Sequence, residues 1–543
     1  MKRAHEDDDG GERPAKAQRL SKPDRISRLS EELLVRILSF VPVSSLLRCQ
    51  RVSKKLSRLS VDSELWKAAY YRAFVLPRAS RIPGIRDPTH PNRLHYSSRL
   101  SKWLEDSYLV KDGSQTNWKQ QYRLRHNWTQ GQCAVSEIVV AERPPDPPLL
   151  VMMSNRIVYA ADSISGLRAW SSKNGRELLA STELWGEAET PRLPISMAVD
   201  ASEGAESTER VVIGFEDGSF SIYSLKKDHS RFKSLFTHPP STNGMISALA
   251  YSSPYLLTMT EDHLLSLYAF EGRPNDLGTL EAPKLLYSLR SHTAWPPVSL
   301  CLRTTAASMT AAIAYSLPTY LSGWTVGVQE LRLSHKGELL ESRLATAADE
   351  HSFTLSACRS ASSSPSPGSA REHSIPSGSS NSKPTSMSYS HPYLLVAHPD
   401  NTLALYLVRS TSSALSIGSG NRLWGHTSSI SGAHVGMRGK AVSVSRLGNE
   451  LRVWDLEGGM NSSANRKRSR NGDLSVRVQP SKFGDEDAQD DESGSQVGLR
   501  FALEQGFDDS SVSHGWVGFD EQNVIVLRQK SEGSQALVVY DFK

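Results

Sequence analysis

The chain has 543 residues, and its 63 basic and 58 acidic side chains leave a net charge of +5. So small an excess over so long a chain excludes a nucleic-acid binder driven by bulk charge. Hydrophobic residues at 38% and charged residues at 22% supply a large core and exclude wholesale disorder.

Cys49, Cys133, Cys301 and Cys358 are far apart with no CxxC, so they predict neither a disulfide framework nor a zinc site. The first twenty residues have no apolar stretch, so no secretory signal is expected. No uncharged apolar run reaches the ~18 residues a membrane span needs. The expectation is a soluble chain of the nucleus and/or cytoplasm, without a membrane or nucleic-acid partner and without a cofactor.

Residues 1–24 are charged and aperiodic and predict a disordered tail. A helix should start near Leu29-Ser30-Glu31-Glu32, with Ser30 as a hydrogen-bonding N-cap, the glutamates at the positive helix end and Leu29 stapled to Leu34. Leu33, Leu34, Ile37, Leu38 and Val41 form one apolar stripe, and Pro42 ends the helix. Short helices follow from about Ser44 (Leu46, Leu47), from about Val52 (Leu56, Leu59) and from Asp62 or Ser63 (Trp66, Ala69, Tyr70, Phe74). So few residues make a small core, so part of this apolar surface should await a partner.

The run Leu29-Ser-Glu-Glu-Leu-Leu, Ile37-Leu38-Ser-Phe40-Val41-Pro42, Leu46-Leu47, Val52-Ser-Lys-Lys-Leu56, Leu59 and Asp62-Ser-Glu-Leu65-Trp66 resembles an F-box over residues 26–72. Ser30 replaces the family's proline, and Leu56 replaces its aromatic. The resemblance implies docking on Skp1 in a cullin–RING ubiquitin ligase. The implied contacts are Leu29, Glu32, Leu33, Ile37, Leu38, Pro42, Leu46, Leu47 and Val52. Residues 73–130 then read as a helical linker, with further helices over 94–128. Trp118 and Tyr122 share a helix face, and the segment resembles the linker of F-box/WD-repeat proteins.

From residue 131 the pattern changes to short β-rich units with a tight turn and a closing aromatic. The aromatics are Trp170, Tyr223, Tyr268, Trp324, Tyr406, Trp454 and Tyr540-Asp541. Two polar low-complexity stretches, 359–388 and 457–497, read as disordered inserts. Without them the aromatics recur near or slightly above the ~40–45 residues of a four-stranded propeller blade. The unit Leu423-Trp-Gly-His426-Thr…Leu451-Arg-Val-Trp454-Asp resembles a WD40 repeat, although Gly448 stands where its turn Asp is usual. The expected fold is multidomain, α followed by all-β: an F-box and helical linker, then a WD40-like β-propeller over 131–543. Seven blades fit the aromatics; eight, or six with an irregular seventh, are the alternatives. The chain ends where the last blade still lacks an outer strand, so Cys133–Val140 is expected to supply it and close the ring.

The Gly-rich stretch from Gly432 to Ala441 has the wrong spacing for a phosphate loop, and no G-x-S-x-G or HExxH motif occurs. Catalytic residues and metal ligands are therefore not expected, and the chain reads as a non-enzyme. Arg466-Lys467-Arg468-Ser469-Arg470 reads equally as a nuclear localisation signal or as solvated charge facing the acidic run 485–492. Related propellers hold phosphopeptides with arginines. The matching positions here are Ser247, Ser299 and Ser431, and Arg446 alone keeps the family's residue. The sequence thus suggests an adaptor linking Skp1, and through it cullin and RING subunits, to a protein substrate that is phosphorylated or not. The alternative is a Skp1-binding or general interaction scaffold outside ubiquitination.

Overall fold

The computed structural model describes residues 26, 28–76, 116–172, 177–185, 192–200, 208–226, 231–270, 279–291, 295–304, 308–319, 323–336, 338–347, 382–411, 413–436, 439–446, 450–456, 474–480, 516–529 and 533–543. The expected N-terminal tail, the part of the expected helical linker from 77 to 115, the basic cluster 466–470 and most of both inserts lie outside them. The chain divides into two compact units, one up to Arg123 and one from Leu124.

The first unit contains α1 (Glu31–Leu38), α2 (Val43–Cys49), α3 (Lys54–Leu59) and α4 (Ser63–Tyr70), which continues into a widened π turn over Tyr71–Val75. Ser30 stands at the N-cap of α1, but its side chain makes no capping bond. Its carbonyl instead accepts from the Leu34 N–H at 3.1 Å, and Glu31 and Glu32 supply the favourable first-turn charge. Pro42 does not end α1, which stops at Leu38. It opens α2 from the N-cap position, where its fixed φ costs nothing. Ser53 and Asp62 are true side-chain caps, accepting from Leu56 N and Glu64 N. Leu34, Leu38, Leu46, Leu59, Leu65 and Trp66 form the core, with Leu29, Leu56, Trp118 and Tyr122 packed around it.

A fifth helix, α5 (Trp118–Gln130), contributes to each unit. In the first unit Tyr122 meets Trp66 edge-on at 5.5 Å, and Trp118 meets Tyr70 at 5.5 Å. In the second unit Leu124 and Trp128 are buried in the propeller's own core.

The strands of the described residues form seven sheets, which are seven propeller blades. Blades 1 to 6 begin with the inner strands Leu150–Ser154, Pro194–Val199, Ile246–Ser252, Trp295–Thr304, Ser386–Ser390 and Ile430–Val435. Blade 7 begins with Val517–Phe519. Each inner strand neighbours the next, and blade 7 returns to blade 1. Strand alternation explains the stacking. In blade 2, Val211 and Ile213 face the cluster shared with blade 1, while Val212 faces the cluster shared with blade 3. Strands buried on both faces read as continuous apolar runs.

The ring closes as expected. Gln132–Ala141 pairs antiparallel with Gln535–Asp541 as the outer strand of blade 7. Its other edge is covered by Gln479–Pro480, which pairs in parallel with Gln132 and Cys133. Here the expected inserts need correction. Ser475–Arg477 is the outer strand of blade 6, and Gln479–Pro480 is the covering strand, although both lie in the stretch read as an insert over 457–497. Likewise Ser386–Ser390, the inner strand of blade 5, begins before residue 388. Polar composition hid these strands because they take their pairing from backbone groups. Trp324 was also misplaced as a strand-closing aromatic. It lies at the start of its strand, Gly323–Leu333, with Lys383 Nζ 5.6 Å from its ring.

Candidate protein-docking surfaces

On the helical unit, one apolar stripe of the sequence becomes two faces. Side chains three and four apart share a helix face, so Leu33 and Ile37 point one way and Leu34 and Leu38 another. Leu34 and Leu38 are in the core, at 2% and 5% exposure, whereas Leu33 and Ile37 are 54% and 50% exposed. Phe40, 72% exposed, lies just past α1 and continues the outer face, with the Arg36 guanidinium 4.9 Å from its ring. Leu47 and Val52 are also exposed. Monomeric surfaces tolerate scattered apolar side chains, but five large exposed ones between Leu33 and Val52 make this stretch the candidate docking surface of the unit.

The structure therefore sorts the expected contacts. Glu32, Leu33, Ile37, Pro42, Leu47 and Val52 are exposed, and Leu29 is half-buried. Leu38 and Leu46, expected on the same face, are instead buried in the unit's own core, because a sequence pattern gives the period but not which edge of the stripe turns inward. Phe40 is exposed as well, although an aromatic beside Ile37 and Leu38 reads as core. The Glu31–Arg58 ion pair ties α1 to α3 beside this face.

On the propeller, the turn carboxylates are committed to the fold. Asp217 Oδ1 accepts from Ser219 N at 2.9 Å, and Asp400 Oδ1 accepts from the Thr402 hydroxyl at 2.6 Å. Blade 6 holds the most complete network. The Trp454 indole N–H donates to Ser443 Oγ at 2.7 Å, and Ser443 Oγ lies 2.6 Å from His426 Nε2. Glu450, rather than a residue of the expected turn at Gly448, is the acid: its Oε2 lies 3.4 Å from His426 Nδ1 and accepts from Thr427 N at 2.9 Å. Burial raises the Glu450 carboxyl pKa, but the Thr427 N–H and Arg452 together hold it below the usual range. Burial dominates at His426 and lowers its pKa to about 4, so the ring is neutral. The sequence signal was available, since Glu450 directly follows Gly448-Asn449 in the sequence and stands two residues ahead of Arg452.

The serines at the family's arginine positions are already engaged. Ser247 and Ser431 donate to the carbonyls of Met259 and Val444 at 3.1 and 3.3 Å, and Ser299 accepts from Tyr389 N at 3.2 Å. Arg446 is exposed, and its backbone N–H donates to Ser429 O at 2.8 Å. Four other arginines near the blade turns are held by carboxylates: Arg168 by Asp162, Arg290 by Asp262, Arg422 by Asp400 and Arg452 by Glu450.

The helical unit and the propeller each match a known family. Residues 26–72 match the family described as F-box-like. The F-box protein dre-1 of Caenorhabditis elegans is 34% identical over 105 residues, which is 19% of this chain and 9% of that protein's length. Among solved structures, the WD40 beta propeller domain of Doa1 is 11% identical, covering 75% of this chain and 96% of that one with a TM-score of 0.33. YCF48 from Cyanidioschyzon merolae is 8% identical, covering 75% of this chain and 99% of that one with a TM-score of 0.40. Residues 133–543, most of the chain, match a propeller profile, and the chain therefore belongs to the family described as F-box protein pof12 beta-propeller.

Proposed function

We propose that this F-box protein is the substrate-recognition adaptor of an SCF-type ubiquitin ligase. Its helical unit binds a Skp1-like subunit, and its propeller binds the protein to be ubiquitinated. The observation that carries the reading is the outward face of Leu33, Ile37, Phe40, Leu47 and Val52. Fully burying one such side chain contributes about 1.5–3 kcal/mol, so several half-exposed ones supply useful affinity while the core stays intact.

The adaptor performs no bond chemistry in this scheme. It raises the local concentration of substrate at the ubiquitin-charged enzyme. Arg446 is the one substrate contact proposed on the propeller. Its exposed guanidinium suits a carboxylate or phosphate oxygen. Co-purification from cells tests the assignment: cullin and RING subunits should accompany the intact chain and be lost with Leu33→Asp/Ile37→Asp. Recovery of a Skp1-like protein without cullin would favour the scaffold alternative.

A further inference from the structure

We propose that Asn243 is a site of spontaneous modification, converting from an amide to a mixture of aspartyl and isoaspartyl residues. Asn243-Gly244 lies in the connection that leaves blade 2 at His238 and enters blade 3 at Ile246. The ends of this connection are pinned and its apex is not. The Ser241 N–H donates to Asp217 O at 3.0 Å, and the Glu261 N–H donates to Met245 O at 2.9 Å. Between them Asn243 is exposed, and Gly244 has φ +83°.

Two features favour attack by the backbone. The Gly244 N–H has no hydrogen-bond acceptor among the described residues. Glycine places no side chain beside the reacting nitrogen, and even a Cβ built there would meet nothing nearer than Asp262 Cγ at 3.7 Å. Ser241 Oγ accepts from both Asn243 N and Nδ2, at 3.3 and 3.0 Å, an exposed local bond that the side-chain amide exchanges for water before Cγ meets the Gly244 nitrogen.

Among the described residues no other asparagine precedes a glycine. Asn127 lies in α5, with Nδ2 donating to Phe542 O at 2.9 Å. Asn401 precedes Thr402, whose N–H is held by Asp400. Asn155 precedes a bulky Arg156. The Asn-Gly pairs at 174–175 and 471–472 fall outside the described residues.

The step balances without any oxidant. The Gly244 nitrogen loses its proton and bonds to Asn243 Cγ, closing a succinimide, while the Cγ–Nδ2 bond breaks and ammonia leaves. Water then adds to either ring carbonyl. Opening one way gives aspartate and the other way isoaspartate, and the water's oxygen stays in the new carboxylate. The product adds a negative charge to a connection whose neighbours are Asp217 and Asp262. The isoaspartyl form also lengthens the backbone by one carbon, which disturbs the pinned ends.

The test is incubation of the folded full-length chain in heavy-oxygen water, in neutral and alkaline buffers, followed by digestion and fragment mass spectrometry. Label should accumulate at position 243 in both isomers, faster in alkali, and an isoaspartyl carboxyl methyltransferase should methylate the product. Asn243→Ser should lose the signal with an unchanged melting curve. Gly244→Ala, if folded, should slow labelling several-fold. Labelling of an isolated peptide or the denatured chain, but not of the folded protein under the same conditions, would overturn the proposal.

Discussion

Trp128 lies flat on Phe542, with ring centroids 4.1 Å apart and planes 12° from parallel. The Trp128 indole N–H also donates to Glu521 O at 2.9 Å, while Phe542 N donates to Gln522 O at 2.9 Å and Phe542 O accepts from Asn127. The end of α5 and the end of the chain thus hold one another against blade 7. Trp128→Ala should destabilise the propeller by about 3–5 kcal/mol through the lost packing. Trp128→Phe keeps an aromatic ring but removes the hydrogen bond to the Glu521 carbonyl, and should cost about 0.5–1.5 kcal/mol. Denaturant unfolding of both variants checks the order; equal stabilities would contradict it.

Closure of the ring gives the second prediction. Val140 is 4% exposed, in the apolar cluster that joins blade 7 (Ile525, Leu537) to blade 1 (Val151, Val158). Val140→Asp places an unpaired carboxylate there, which costs several kcal/mol unless it takes up a proton. The variant should lose its cooperative melting transition. Val139→Asp, on the adjacent exposed position, should melt like the parent, and an equal loss there would show that strand alternation was misassigned.

The buried histidines make stability depend on pH. Burial lowers the pKa of His426 and of His398 to about 4. The unfolded chain, with an ordinary value near 6.5, therefore takes up protons first as pH falls. Stability is full above about pH 6.5 and declines toward pH 4, by about 2 kcal/mol per ring at pH 5. Melting temperatures across this window should fall with acid, and His426→Gln should flatten part of the slope. A parent protein whose stability rose on acidification to pH 5 would contradict the neutral-ring assignment.

The period of the sequence carried most of the fold. Strand alternation, turn chemistry and recurring aromatics gave the seven blades, and the unpaired apolar run at Cys133–Val140 gave the closing strand. Trp324 entered the count from the wrong end of its strand, which left the number right because the strand was still the third of its blade. What failed was local. Ser475–Arg477 was hidden by polar composition, since its pairing partner Arg452–Trp454 is set by backbone bonds. Glu450 is not legible from the repeat pattern, because that pattern places an Asp in the turn and here a glutamate two residues further on reaches His426. Leu38 and Leu46 were indistinguishable from Leu33 and Leu47 until the helices were packed, because the same apolar residue serves a core or an interface.

Affinity for a purified Skp1-like protein tests the central claim most directly. Leu33→Asp/Ile37→Asp should keep the helical content and weaken binding by on the order of 2–4 kcal/mol, about thirtyfold to a thousandfold. Leu38→Ala should instead lower stability by about 2–5 kcal/mol, with little loss of affinity in the fraction that remains folded. Undiminished binding by a folded Leu33→Asp/Ile37→Asp variant would contradict the account.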